Sequence, residues 1–218
     1  MGQLFNIDSK FMAFMSKLAD LLLLNFLTVI CCLPIFTIGA SFTAMHTVLI
    51  AIHRNENGGI IKDYFKAFAS NFKQATVIWL IILVCATALF VWFYLIVEQY
   101  VKMPNILVFL LIASAALMVI NISWVFVLQA RYINPIWHTL KNSLIVGISH
   151  IGITIAMVLI FLVPFAIAFA VEGMEPIVLC MGFTFPGALQ VKLYHKVIEK
   201  MDAMILPNDE EQEAVIEG

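Results

Sequence analysis

The sequence predicts an all-α membrane protein of about six transmembrane helices, with both termini on the cytoplasmic side. Three observations carry this. Hydrophobic residues make up 63% of the 218 positions and charged residues 12%, whereas a soluble domain is about half apolar and a quarter charged. The apolar residues fall in uncharged stretches of membrane length. The basic residues gather in alternate connecting segments. Residues 1–200 read as one transmembrane domain and 201–218 as an acidic, disordered tail with Asp209, Glu210, Glu211, Glu213 and Glu217.

The first uncharged stretch runs from Leu21 to His53, roughly 50 Å as a single helix and too long for one crossing. Pro34 and Gly39 punctuate its middle, so it reads as a tight hairpin with helices near 18–33 and 38–53. Whether these are two full spans or a re-entrant hairpin is left open, because irregular backbone is costly in lipid. A cleavable signal peptide is not expected, since no small-x-small site follows the apolar run.

Beyond the polar segment Arg54-Asn55-Glu56-Asn57-Gly58-Gly59, residues 61–73 place Ile61, Tyr64, Phe65, Phe68 and Phe72 on one helical face. Lys62, Asp63, Lys66 and Lys73 fall largely elsewhere. This is expected to be an amphipathic inner connector helix, lying on the membrane surface or packing on helix ends. Spans follow near 74–97 and 104–129, the latter opened by Pro104. A second inner connector covers 131–142. A fifth span is expected near 143–170. A sixth is expected near 176–193, broken by Pro186-Gly187.

Counting basic residues orients the chain. With six spans, only Lys102 of the twelve lysines and arginines lies in an outer loop. The other eleven fall on the side of the termini, which is the cytoplasmic side in a bacterial plasma membrane. A shift of 68 residues also aligns Tyr64 with Tyr132 and Lys73 with Lys141, a weak echo of the parallel repeats found in transporters.

Asn25 through Arg54, with Cys32-Leu33-Pro34, Thr37-Ile38-Gly39-Ala40 and Thr43-Ala44, is followed by Tyr64-Phe65-Lys66-Ala67-Phe68 and Asn71-Phe72-Lys73-Gln74-Ala75. In these segments the chain resembles the YesL family of bacterial membrane proteins. The resemblance implies a multi-pass protein of the cytoplasmic membrane in a carbohydrate-utilisation setting. It supplies no mechanism and no catalytic residues.

The residues themselves argue against catalysis. Gly58-Gly59 is not followed by Lys-Ser/Thr, and no Gly-x-Ser-x-Gly or His-Glu-x-x-His occurs. Cys31, Cys32, Cys85 and Cys180 lie in apolar runs and read as small helix fillers, without zinc-ligand spacing. Glu172 and Glu175 belong to an outer loop. Neither a cofactor nor a metal is expected. The net charge of −2 excludes a globally basic nucleic-acid binder.

Two groups of residues stand out. His46 and His150 are the titratable residues well inside spans, in the half nearer the cytoplasm. They admit a polar cavity, completed by Asn25 and Asn121, for a proton or a substrate. They equally admit the simpler reading of neutral histidines hydrogen-bonded between helices. On the first connector, Phe65, Phe68 and Phe72 read as anchors and Lys66 and Lys73 as orienting charges for a partner or the membrane surface. The expected function is accordingly a non-enzymatic accessory or regulatory protein beside a carbohydrate transporter component. The alternative is a small transporter or channel for a sugar or related solute. Homo-oligomerisation is left open.

Overall fold

The computed structural model describes residues 2–56, 58–98 and 104–205, and among these every regular element is helical. In chain order they are α1 (Gly2–Cys32), a 3₁₀ turn (Ile35–Thr37), α2 (Ile38–Arg54), α3 (Ile60–Val97), α4 (Asn105–Arg131), α5 (Ile136–Ser149), α6 (Ile151–Ala170), α7 (Glu175–Met181) and α8 (Thr184–Ile205). Among the described residues, five segments are long and apolar enough to cross a membrane: Phe14–Cys32, Ile35–Arg54, α3, α4 and α6. Their exposed faces are apolar as well, and lipid is the solvent that suits them.

The expected surface helix over 61–73 is corrected. No break separates it from the following span, and α3 runs unbroken for 38 residues. Lys73-Gln74-Ala75 contains neither glycine nor proline, and all three residues favour the helix. The change from amphipathic to wholly apolar alters what faces the helix, not its backbone. The amphipathic third packs antiparallel along α2. At one end of this pair the left-handed Asn55 closes α2 and Gly59, at φ 137°, leads into α3. At the other, Gly39 lies against Ala75 and Trp79.

The later spans are divided differently from the expectation. Asn134-Pro135 ends the α4 connection, since a residue before proline avoids helical backbone. The second connector is thus the start of α5. The expected span 143–170 is interrupted at His150 (φ −119°, ψ 45°). There the Gly147 carbonyl accepts from the Thr154 hydroxyl at 2.8 Å, and that hydroxyl accepts from the indole of Trp124 at 2.8 Å. The sixth segment breaks at Gly182-Phe183, ahead of Pro186-Gly187. Pro186 falls in the first turn of α8, where a missing amide leaves no bond unmade. Helix α8 continues to Ile205, so residues 201–205, expected in the tail, are helical. Lys102 and the acidic residues from Asp209 onward lie outside the described residues.

Packing is uneven along the molecule. The core gathers Leu24, Met45, Val48, Tyr64, Trp124, Met157 and Tyr194 from α1, α2, α3, α4, α6 and α8. By contrast, no residue from Leu83 to Val97 or from Asn105 to Ser123 is buried. The far halves of α3 and α4 form a two-helix extension. The opposite end, holding Arg54, Arg131 and Asp202, is the polar end of the bundle.

Candidate functional site at the polar end

The C-termini of α2 and α4 meet α8 at Asp202. Its carboxylate accepts from the guanidinium of Arg54 at 3.1 Å, from that of Arg131 at 3.0 Å and from the Tyr132 hydroxyl at 2.7 Å. Partial burial by itself would raise the Asp202 pKa. The hydrogen bonds from Arg131, Tyr132 and Arg54 outweigh it and hold the carboxyl below its usual range. The Tyr132 hydroxyl is pushed up, first by burial and then by donating to Asp202. Three helices are thereby tied through one carboxylate. Asp202 has no sequence signal of its own, because it sits in a segment that reads as acidic tail.

Beside this knot a recess of about 480 Å³ opens between α2, α3 and α4. Thr47, Lys66, Ser70, Asn71, Gln74, Gln129 and Arg131 line it, with Glu56 and Asp63 at its edge. Gln129 donates to the Asn71 side chain at 3.2 Å, and the Gln74 amide donates to the Asn134 carbonyl. Gln129 is only 4% exposed, and its Oε1 finds no partner among the described residues. Amides and hydroxyls of this kind can bind a neutral polar group, and Lys66 adds a positive charge. Among the described residues no three His, Cys, Asp or Glu side chains are grouped to hold a metal.

The predicted anchor residues fall on different faces of α3, and the phenylalanines lie away from this recess. Lys66 lines it, while Phe65 and Lys73 are exposed. Phe68 and Phe72 are half-buried. Phe68 stacks on the buried Tyr64, ring centroids 6.2 Å apart, and packs against the core. The aromatic stripe is therefore split: Phe65 faces outward and Phe68 holds α3 in place. Tyr64 is fully buried, its hydroxyl 2.7 Å from the Ser41 hydroxyl of α2.

The four residues expected around one polar cavity are placed apart. His46 is buried, with Nδ1 3.1 Å from the Tyr194 hydroxyl. It lines a largely apolar cavity of about 370 Å³ with Phe42, Trp79, Phe126, Phe161 and Gln190, but without His150, Asn121 or Asn25. His150 sits at the α5–α6 break. A run of neighbouring rings, Trp124 and then Tyr194, lies between it and His46. Asn121 donates to the Leu140 carbonyl at 2.8 Å. Asn25 acts as a cap supplied from another helix. Its Oδ1 accepts from the amides of Phe183 and Thr184 at 3.2 and 3.1 Å, and its Nδ2 donates to the Leu179 carbonyl at 2.8 Å. It thus satisfies the end of α7 and the start of α8 together.

The helices that build the polar end bring together α2 and the first part of α3, the region where the sequence carries its family resemblance. Residues 21–93 match DUF624, a family described as "Protein of unknown function". YesL belongs to that family, so the resemblance is borne out at this level for the stretch from mid-α1 to most of α3. No curated protein and no solved structure matches the chain. The DUF624 segment contains Gly39, Ser41, Tyr64 and the α3 side of the recess. Gln129, Arg131 and Asp202, which complete the polar end, lie beyond the matched residues.

Proposed function

We propose that this chain is a non-enzymatic accessory or regulatory integral membrane protein that engages a partner through its polar end. It sits in the bacterial cytoplasmic membrane with both termini inside, as the distribution of lysine and arginine favours. The carrying observation is the recess between α2, α3 and α4, lined by Lys66, Asn71, Gln74 and Gln129, with Phe65 exposed on another face of the same helix. A positive charge and one buried amide oxygen without a partner are polar groups that a bound partner could satisfy. The carbohydrate setting rests on the YesL resemblance alone and makes a carbohydrate transporter component the partner to test first.

The experiment is copurification from native membranes with and without crosslinking. The wild-type chain is compared with a Phe65→Ala, Lys66→Glu double variant of equal abundance. Recovery of a transporter component by the wild type, and its loss from the variant, supports the reading. Recovery of none by either chain counts against it. The transporter alternative is tested separately, by solute flux into proteoliposomes containing the purified protein and its His46→Ala variant.

A further inference from the structure

The turn between α1 and α2 is apolar on its outside and hydrogen-bonded to protein on its inside. Leu33, Ile35 and Phe36 are 76%, 64% and 53% exposed. The carbonyls of Ile30, Cys31, Pro34 and Ile35 are nevertheless occupied. The Thr37 hydroxyl is 2.6 Å from the Cys31 carbonyl and 2.7 Å from that of Pro34. The Trp79 indole N–H donates to the Ile35 carbonyl at 2.7 Å. The amides of Leu33 and Thr37 bond back to Ile30 and Pro34, and Pro34 has no amide to satisfy. Non-helical backbone is tolerated at membrane depth only where protein groups take up its polar atoms.

The long helix α3 supplies a ruler. Its charge-free stretch runs from Gln74 to Val97, between Lys73 and Glu98. That is about 36 Å of helix, enough for a hydrocarbon core of about 30 Å. Leu83 to Val97 contains no buried residue and is strongly apolar, so this part must itself lie in lipid. The α1–α2 turn meets α3 at Trp79. Trp79 lies six residues from Lys73, about 9 Å of rise, and nineteen from Glu98, about 28 Å. A hairpin that turns there stops far short of the opposite surface.

We infer that α1 and α2 form a re-entrant hairpin, which enters the bilayer from the polar end, turns within the hydrocarbon and returns to the same side. Leu33, Ile35 and Phe36 dock against lipid acyl chains. Such a hairpin leaves Lys17 and Arg54 on one side, as two full crossings would, so the count of basic residues is the same for both. The inference holds for either orientation of the chain and does not rest on the proposed partner.

Cysteine accessibility tests it. In a background with Cys31, Cys32, Cys85 and Cys180 replaced by alanine, single cysteines are introduced as Phe36→Cys, Lys62→Cys and Glu172→Cys. Sealed right-side-out and inside-out vesicles are treated with a membrane-impermeant maleimide. Lys62→Cys and Glu172→Cys are expected to react from opposite sides. Phe36→Cys is expected to react about tenfold or more slowly from either side, because an apolar medium suppresses the reactive thiolate. A nitroxide attached at Phe36→Cys in reconstituted bilayers should then be relaxed more by oxygen than by a water-soluble nickel chelate. Modification of Phe36→Cys as fast as Glu172→Cys, from the same side, would overturn the inference in favour of a full crossing. Modification as fast as Lys62→Cys, or a nitroxide more accessible to nickel than to oxygen, would equally overturn it.

Discussion

The two halves of α3 are covered in opposite ways. From Ile60 to Ile82 the helix meets α1, α2, α4 and α5 and buries Tyr64, Ala67, Ala75 and Ile78. From Leu83 to Val97 it meets chiefly α4, and nothing is buried. Hydrophobicity is no lower in the second half. What differs is specificity: the first half carries Gly39 against Ala75, the Ser41–Tyr64 hydroxyl pair and the Asn71–Gln129 amide pair. In lipid, apolar character alone places a helix in the bilayer, while small residues and polar pairs decide which helix it touches.

Substitutions in the two halves should therefore differ in effect. The largest loss is expected for Gly39→Val. A Cβ there would stand 2.5 Å from the Ala75 carbonyl oxygen and 2.6 Å from Trp79 Cβ, and neither atom can swing aside. We expect about 3 kcal/mol of destabilisation, read as a lowered thermal unfolding midpoint in detergent. An unchanged midpoint would mean that α2 and α3 separate readily, and the comparison would break. Trp124→Phe removes the donor to Thr154 at the α5–α6 break and should cost about 2 kcal/mol in the same assay.

Asp202→Asn should cost about 1–2 kcal/mol at neutral pH, since it weakens charge-assisted bonds that are only partly sheltered from water. Its pH dependence has a definite sign. The folded carboxyl titrates below its unfolded value, so its contribution is complete above the ordinary carboxylate range, near pH 4. It is lost as pH falls through the lower, folded value. The gap between wild type and Asp202→Asn should be widest near pH 7 and close in acid. A gap that persists at pH 2 would place the effect in packing rather than charge. The smallest effect is expected for Val84→Ala in the exposed extension, where the side chain is 69% exposed. Its midpoint should stay within about 0.5 kcal/mol of wild type.

The legible parts of the sequence were those written in composition and punctuation. Pro34 and Gly39 marked the α1–α2 turn and Pro104 the start of α4. The uncharged runs marked the long apolar helices. The break at His150 was hidden because the bond that accompanies it, Thr154 to Gly147, belongs to a threonine shared with a distant tryptophan. The continuity of α3 was hidden because a change of amphipathic pattern resembles a change of element. Within the site, Lys66 could be singled out from spacing on one helix. Asp202, Arg54 and Tyr132 could not, because what unites them is the convergence of three helix ends distant in sequence.

The uninterrupted length of α3 also has a mechanical side. Its 38 residues span about 57 Å as a single rod, clasped near the middle where Gly39 of α2 lies against Ala75 and Trp79. A rod seated along one half and free along the other behaves as a cantilever. A sideways push on the exposed Leu83–Val97 arm bends that arm and is borne at the Gly39 contact, while the Ile60–Ile82 half stays seated through Tyr64, Ala67 and Ala75. The path through α5 and α6, jointed at His150, would absorb a comparable push by bending.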